Sequence, residues 1–124
     1  MGVILRANCI SCGLDAELYV GGGLRDCRAE TALSAAGNDQ RLAAALQEGA
    51  RFRIERRVSV CERCRKPVTA VRVTYRQPGR AAHIMAPRCP DCAARLLWPK
   101  ENPDRISCPM CGEIIPLTIA GHWD

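Results

Sequence analysis

The chain has 124 residues with 48% hydrophobic content, yet it contains only one Phe, two Tyr and two Trp. A chain of this length forms at most one compact domain or two small lobes. The scarcity of large apolar side chains predicts a thin core that needs crosslinks for stability. The formal net charge is +5 and the chain has nine cysteines.

The N-terminal stretch MGVILRANC has an apolar run of only three residues, shorter than the hydrophobic region of a signal peptide. No other stretch is long enough to span a bilayer. We therefore expect a cytoplasmic protein with no membrane association, in which thiols stay reduced and paired cysteines bind metal or act as redox centres.

The first predicted elements are a strand followed by a helical hairpin. Residues 14–20, LDAELYV, alternate as a strand does, and three glycines at 21–23 end it. From about 26 to 49 the composition changes to Ala, Leu, Glu and Gln, which favour helix. We expect one helix at about 28–36, capped by Asp26, and a second that starts after Asn38 or Asp39, presents Leu42 and Leu46 on one face and ends at Gly49.

From residue 50 the hydrophobic period changes to two, which predicts strands. In RFRIERRVSVC the apolar side chains at 52, 54, 58 and 60 share one face, and Arg56 does not fit the alternation. A second strand in a hairpin at about 67–87 turns at Pro78 and Gly79. If the two strands pair, five arginines form a comb on one face: Arg51, Arg53, Arg57, Arg72 and Arg76.

Eight of the nine cysteines form four CxxC units. A gap of two residues lets the backbone fold into a knuckle whose two thiolates reach one ion, and two knuckles complete a tetrahedron. The sequence therefore predicts two all-cysteine sites, each holding a Zn²⁺ ion. The units are Cys9/Cys12, Cys61/Cys64, Cys89/Cys92 and Cys108/Cys111.

Two pairings of these units are open. The segment 89–111 has the form C-x2-C-x15-C-x2-C, a spacing typical of zinc sites, so we predict that Cys89, Cys92, Cys108 and Cys111 share one ion. Cys9, Cys12, Cys61 and Cys64 then form the other site across a long insertion, whose closure cost grows only slowly with length. The alternative is nested: 61/64 meets 89/92 across the hairpin, and 9/12 meets 108/111 end to end.

Two of the knuckles, CISCG at 9–13 and CPMCG at 108–112, resemble those of zinc ribbons and rubredoxins. The opening NCISCGLDAELYVGGGL resembles small prokaryotic zinc-ribbon proteins. CERCR and CPDCA depart from the pattern because no glycine follows the second cysteine, so these two knuckles must turn with an ordinary residue. The resemblance implies a metal-stabilised module without implying a reaction.

We therefore expect a small β-rich α+β protein made of two zinc-ribbon-like units with a helical insertion. The N-terminal unit would span 1–87 and contain the insertion, and the C-terminal ribbon would span 88–124. Four complete CxxC pairs leave no open coordination position for substrate or water, so we predict no enzymatic activity and see no sign of a small-molecule substrate.

Three functions follow as hypotheses. The first is an adaptor that mediates protein–protein interaction. The second is a nucleic-acid-binding ribbon that uses the arginine comb, although two four-thiolate zinc sites would lower the net charge from +5 to about +1. The third is a rubredoxin-like iron carrier, although we expect the thiolates to bind zinc rather than iron. Cys27, at an expected helix start, and His83 and His122, as substitute ligands, have no assigned role.

Overall fold

The computed structural model describes residues 2–124 and consists of two antiparallel sheets with a helical hairpin. This is a small β-rich α+β fold, as the sequence predicts. In chain order the elements are β1 (Gly2–Asn8), β2 (Asp15–Val20), a 3-10 helix (Leu24–Cys27), α1 (Ala29–Ala35), α2 (Gln40–Gln47), β3 (Arg51–Cys61), β4 (Lys66–Arg76), β5 (His83–Ile84), β6 (Arg105–Ser107) and β7 (Ile114–Trp123).

The first sheet has the strand order β2-β1-β7-β6 and joins the two ends of the chain. β1 pairs antiparallel with both β2 and β7, and β6 pairs with the start of β7. The predicted division between residues 87 and 88 is therefore wrong for this sheet, because strands from both proposed units lie side by side. Local alternation within each strand cannot reveal which distant strand will be its neighbour.

The second sheet has the order β3-β4-β5. β3 and β4 pair over their whole lengths, from Arg51 opposite Arg76 to Cys61 opposite Lys66. The predicted hairpin at 67–87 is present, but its second strand is short: only His83 and Ile84 pair with β4. One face of this sheet, which carries Ile54, Val58 and Val73, is covered by the helical hairpin and the first sheet. On the other face Arg51, Arg53 and Arg76 are exposed.

One face of the second sheet carries the helical hairpin. Leu42 and Ala32 are fully buried there against Ile54 and Val73. The cap of α2 is Asp39, whose carboxylate accepts a hydrogen bond of 3.0 Å from the Leu42 amide, as predicted. Further along the same face Val58 joins the core of the first sheet, so β3 connects this core with the one under the helical hairpin.

The predicted cap of the first helix is wrong, because Arg28 rather than Asp26 occupies the N-cap of α1. Asp26 lies inside the 3-10 helix, where its carboxylate accepts a hydrogen bond from the Gly23 amide and forms an ion pair with Arg56. The Arg56 guanidinium also lies 5.0 Å from the ring centroid of Trp123. This ion pair and the aromatic contact explain how a charged residue is accommodated on the apolar face of β3.

Candidate metal centres

Each CxxC unit forms the turn of a hairpin. A backbone-paired pair of residues flanks every unit, within strands at three units and as an isolated bridge at the unit 89/92. The flanking pairs are Asn8 with Asp15, Val60 with Pro67, Arg88 with Arg95, and Ser107 with Ile114. The cysteine spacing therefore determines local geometry in the same way at all four places.

The four knuckles share one backbone turn. In each, the amide of the residue after the second cysteine donates to the carbonyl of the first cysteine, over 2.8–2.9 Å. That residue has positive φ in all four, including the non-glycine residues Arg65 (56°) and Ala93 (61°). The prediction that CERCR and CPDCA turn with an ordinary residue is confirmed, at the cost of a left-handed backbone that L-residues disfavour.

Cluster 1 brings the chain ends together through Cys9, Cys12, Cys108 and Cys111. The Cys9 and Cys111 sulfurs are 3.5 Å apart, and so are those of Cys12 and Cys108. Cys9 and Cys108 are buried in the core of the first sheet, whereas Cys12 and Cys111 are exposed.

Cluster 2 consists of Cys61, Cys64, Cys89 and Cys92. The sulfurs of Cys61 and Cys92 are 3.6 Å apart, and those of Cys64 and Cys89 are 3.9 Å apart. Cys61 and Cys89 are buried beside Leu96, and the other two thiols are partly buried. Cluster 2 is therefore better shielded from solvent than cluster 1.

The structure contradicts the predicted pairing and shows the nested alternative. Cys89 and Cys92 meet Cys61 and Cys64 rather than the knuckle at 108–111, and Cys9 meets Cys111. The reason lies in the first sheet, where antiparallel pairing places the last residues of β1 beside the first residues of β7, at the same end of the sheet. The two knuckles attached at these points are thereby brought face to face.

The geometry of both clusters fits a tetrahedral zinc ion. With a Zn–S bond of about 2.3 Å, two sulfurs of a regular tetrahedron lie about 3.8 Å apart. The four observed separations, from 3.5 to 3.9 Å, are close to this value. All four ligand atoms of each cluster lie within 4.8 Å of one another. Each cluster thus offers a complete set of four thiolates to one ion.

The thiol pKa values within each metal-free cluster diverge. In cluster 2 the Cys64 amide donates to the Cys61 sulfur, and this hydrogen bond lowers the pKa of Cys61 to about 7. The hydrogen bond with Cys92, together with desolvation, raises the pKa of Cys64 to about 12. One thiol is thus ready to bind metal at neutral pH, while another must first lose its proton.

Cluster 1 behaves in the same way. Desolvation raises the pKa of Cys108, but the amides of Cys111 and Met110 outweigh it and lower that pKa to about 7. The Glu113 amide lowers the pKa of Cys111, but desolvation and the hydrogen bond with Cys9 outweigh that effect and raise the pKa to about 12. Metal binding to either cluster must therefore displace protons.

The two clusters differ in their surrounding charges. Residues 61–66 and 88–95, around cluster 2, include Arg63, Arg65, Lys66, Arg88 and Arg95. Lys66 forms an ion pair with Asp91 between the two knuckles. Residues 8–17 and 107–116, around cluster 1, contain three carboxylates and no Lys, Arg or His. A four-thiolate zinc site would carry a net charge of −2. Around cluster 2 the five cations outnumber Glu62 and Asp91 and offset this charge, whereas the basic residues nearest to cluster 1 in the chain are Arg6 and Arg105, outside these ranges.

The predicted arginine comb is present as a geometric feature, because the β3–β4 register places all five side chains on one face. Part of it is engaged in internal contacts. Arg72 donates to Glu55 over 2.8 Å, and Arg57 donates to the carbonyls of Pro99 and Lys100. Both guanidinium groups lie within 5 Å of the ring centroid of Trp98.

Trp98 is a structural residue, and its contact with the arginine face is the part that the sequence did not predict. It belongs to the segment that leads from cluster 2 towards cluster 1 and packs beside the core of cluster 2. Asn102, in the same segment, accepts a hydrogen bond of 2.9 Å from the Val58 amide. This segment covers the part of the arginine face that carries Arg57 and Arg72, and it leaves Arg51, Arg53 and Arg76 exposed.

The three residues left without a role stand apart from both clusters. Cys27 is exposed at the end of the 3-10 helix rather than at the start of a helix. His83 lies in β5 with its ring centroid 5.1 Å from that of Tyr75, and His122 is exposed in β7. Eight thiols complete the two clusters without a histidine.

No family model, curated protein or solved structure matches the chain. Among residues 2–124 there is no helix that is both long and apolar enough to cross a membrane. What the chain does must therefore be inferred from its own geometry.

Proposed function

We propose that the chain is a structural zinc module that binds a protein partner and has no catalytic role. The observation that carries this proposal is that each cluster offers four thiolates from two knuckles at near-tetrahedral separations. A catalytic zinc ion keeps one position for water or substrate, and four thiolates fill every position. Zinc bound here supplies folding free energy by holding distant segments together.

Zinc is proposed over iron for a chemical reason. Both metals accept four thiolates, but zinc has no redox chemistry and suits a purely structural role. Thiolate ligands also require a reducing compartment, which supports a cytoplasmic location.

A protein partner is favoured over nucleic acid because of the state of the arginine face. Arg57 and Arg72 are partly buried, and their guanidinium groups lie over Trp98 and contact backbone carbonyls or Glu55, so they are less accessible to phosphate than a free surface arginine. Nucleic-acid binding through the exposed arginines Arg51, Arg53 and Arg76 is the alternative that the capture experiment must distinguish from protein binding.

Metal content tests the first part of the proposal. The purified protein should contain two zinc ions per chain by elemental analysis and should be colourless. Visible absorption from bound iron in protein expressed without added metal would overturn the zinc assignment. After cobalt replacement, the absorption bands should be those of tetrahedral thiolate coordination at both clusters.

Capture from cells tests the second part. The zinc-loaded chain, immobilised and treated with nuclease, should retain specific proteins that the chelator-treated chain does not retain. Bound material that disappears with nuclease, or whose binding falls steeply as salt increases, would favour the nucleic-acid alternative.

A further inference from the structure

The knuckles of the two clusters carry different side chains between their cysteines. In cluster 2 these positions are Glu62, Arg63, Pro90 and Asp91, whereas in cluster 1 they are Ile10, Ser11, Pro109 and Met110. Ile10 is 97% exposed and Met110 is 54% exposed. The charged residues of cluster 2 show that a CxxC turn does not require apolar side chains at its tip. The exposed Ile and Met therefore have no explanation in the fold of the knuckle.

Cluster 1 also exposes its ligands. Cys12 and Cys111 are both exposed, while every thiol of cluster 2 is buried or partly buried. A zinc-bound thiolate is a hydrogen-bond acceptor that carries part of the net negative charge of the site. Because both residues are exposed, a donor from a bound partner can approach this side of cluster 1.

The charges around this tip are negative and poorly compensated. Glu113 follows the fourth knuckle and is exposed, and Asp15 and Glu17 lie on the strand that leaves the first knuckle. Arg6, on the adjacent strand, forms a 2.9 Å ion pair with Asp15 and lies opposite Glu17 in the β1–β2 register. Arg6 is thus paired with Asp15, and the other basic residue close to the site in the chain is Arg105, three positions before Cys108. The three carboxylates and the thiolates of the metal site together outweigh these two arginines.

We propose that this tip, the cap surface formed by Ile10, Met110, the sulfurs of Cys12 and Cys111, and Glu113, is the docking site for a basic and apolar protein segment. The segment packs an apolar side chain against Ile10 and Met110, one on each knuckle. Lys or Arg residues on either side of it pair with Glu113 and donate to the exposed thiolates. This inference rests on the proposed role in protein binding and assigns that role to one surface.

The chemistry of the occupant follows from charge complementarity. An acidic segment would be repelled by the net negative charge of the cap surface, and a neutral segment would gain no attraction from it. The side chains of Ile10 and Met110 offer an adaptable apolar contact beside the negative charges of the cap surface. Such a contact is typical of a peptide-binding site.

The experiment uses a random peptide library displayed on phage and selected on the zinc-loaded full-length chain. The enriched sequences should carry an apolar residue flanked by Lys or Arg. The binding of a synthetic enriched peptide, measured by fluorescence anisotropy, should weaken at least tenfold in Ile10→Ser and in Met110→Ser. It should also weaken with added salt and in Glu113→Gln.

A matched control comes from cluster 2. Leu97 is 82% exposed and lies beside Arg95, so Leu97→Ser removes a similar amount of exposed apolar surface from a basic environment. This variant should bind the peptide as the unmodified chain does. All variants should retain two zinc ions per chain, because Ile10 and Leu97 contribute almost nothing to the buried core.

The proposal would be overturned by no enrichment on the zinc-loaded chain, by enrichment of acidic or neutral peptides, or by binding insensitive to Ile10 and Met110. It would also be overturned by a concentration-dependent dimer in sedimentation that Ile10→Ser abolishes. The last would assign the cap surface to a second copy of the chain. Proteins captured from cells equally well by unmodified chain and Ile10→Ser would overturn the cap surface and leave the proposed function intact. Absence of any captured protein would count against the proposed function itself.

Discussion

The pairing of the knuckles can be tested by removing cysteines two at a time. A single substitution, Cys9→Ser, Cys61→Ser or Cys108→Ser, should lower the zinc content from two ions per chain to one. The double variant Cys9→Ser/Cys108→Ser affects only cluster 1 and should keep one ion, whereas Cys9→Ser/Cys61→Ser affects both clusters and should keep none. The pairing expected from spacing alone predicts the opposite result for the two doubles.

The expected effects are large. A structural zinc ion contributes about 10–16 kcal/mol of apparent binding free energy, comparable to the total stability of about 5–15 kcal/mol of a domain. A variant that loses an ion should therefore unfold around that cluster. Cys9→Ser/Cys108→Ser should lose the first sheet, whose β1–β7 pairing is held by cluster 1, and should keep a folded β3–β4 hairpin at cluster 2.

Loop closure adds a ranking of the two clusters. Cys12 and Cys108 are 96 positions apart, and Cys64 and Cys89 are 25 apart. From the logarithmic dependence of closure entropy, the longer loop costs about 1.2 kcal/mol more, or about eightfold in zinc affinity, because the first sheet and its ion form together. The exposed thiols Cys12 and Cys111 act in the same direction. A chelator should therefore empty cluster 1 first.

The assay is elemental analysis of dialysed protein, with amide hydrogen exchange to locate the unfolded segments. If Cys9→Ser/Cys61→Ser keeps one zinc ion while Cys9→Ser/Cys108→Ser keeps none, the nested arrangement is refuted. Equal retention by both doubles would show that ligands exchange between clusters, which would also contradict two separate sites.

Three further predictions concern the knuckles, the connecting segment and pH. Gly13→Ala should lower the free energy of unfolding by about 1 kcal/mol in urea denaturation, since φ is 80° there and an added Cβ would meet no atom within 4 Å, which confines the cost to the backbone. Ala93→Gly, at φ 61°, should not lower it, and a loss as large as that of Gly13→Ala would contradict the strain argument. Trp98→Ala should cost about 3 kcal/mol through lost packing and lost cation–π contacts, and an unchanged urea midpoint would refute its role. Zinc affinity should fall as pH decreases from 9 to 6, because Cys64 and Cys111, with pKa values of about 12, must lose their protons before they can bind the ion. Calorimetry in buffers of different ionisation enthalpy should show this proton release. Its absence would contradict the assigned pKa values.

The sequence by itself determined every local feature of the metal centres. The two-residue gap between cysteines produces the same hairpin turn at all four units, and the residue after each second cysteine adopts positive φ whether or not it is glycine. Period-two alternation predicted β3 and β4 and the face of the arginines, and composition predicted the helical hairpin. These features depend on residues close together in the chain, so a local pattern is sufficient to predict them.

Only the tertiary structure decided which knuckles meet and what the arginines contact. The four knuckles are locally equivalent, so none of them indicates which other knuckle it will meet. The short spacing between Cys92 and Cys108 therefore favoured a site that the sheets do not form. Antiparallel pairing of β1 with β7 brings the chain ends together, and this contact depends on burying the apolar face of the whole first sheet rather than on any short motif. The stacking of Trp98 on the arginine face is equally non-local, because it requires the segment after cluster 2 to cross β3 on its way to cluster 1.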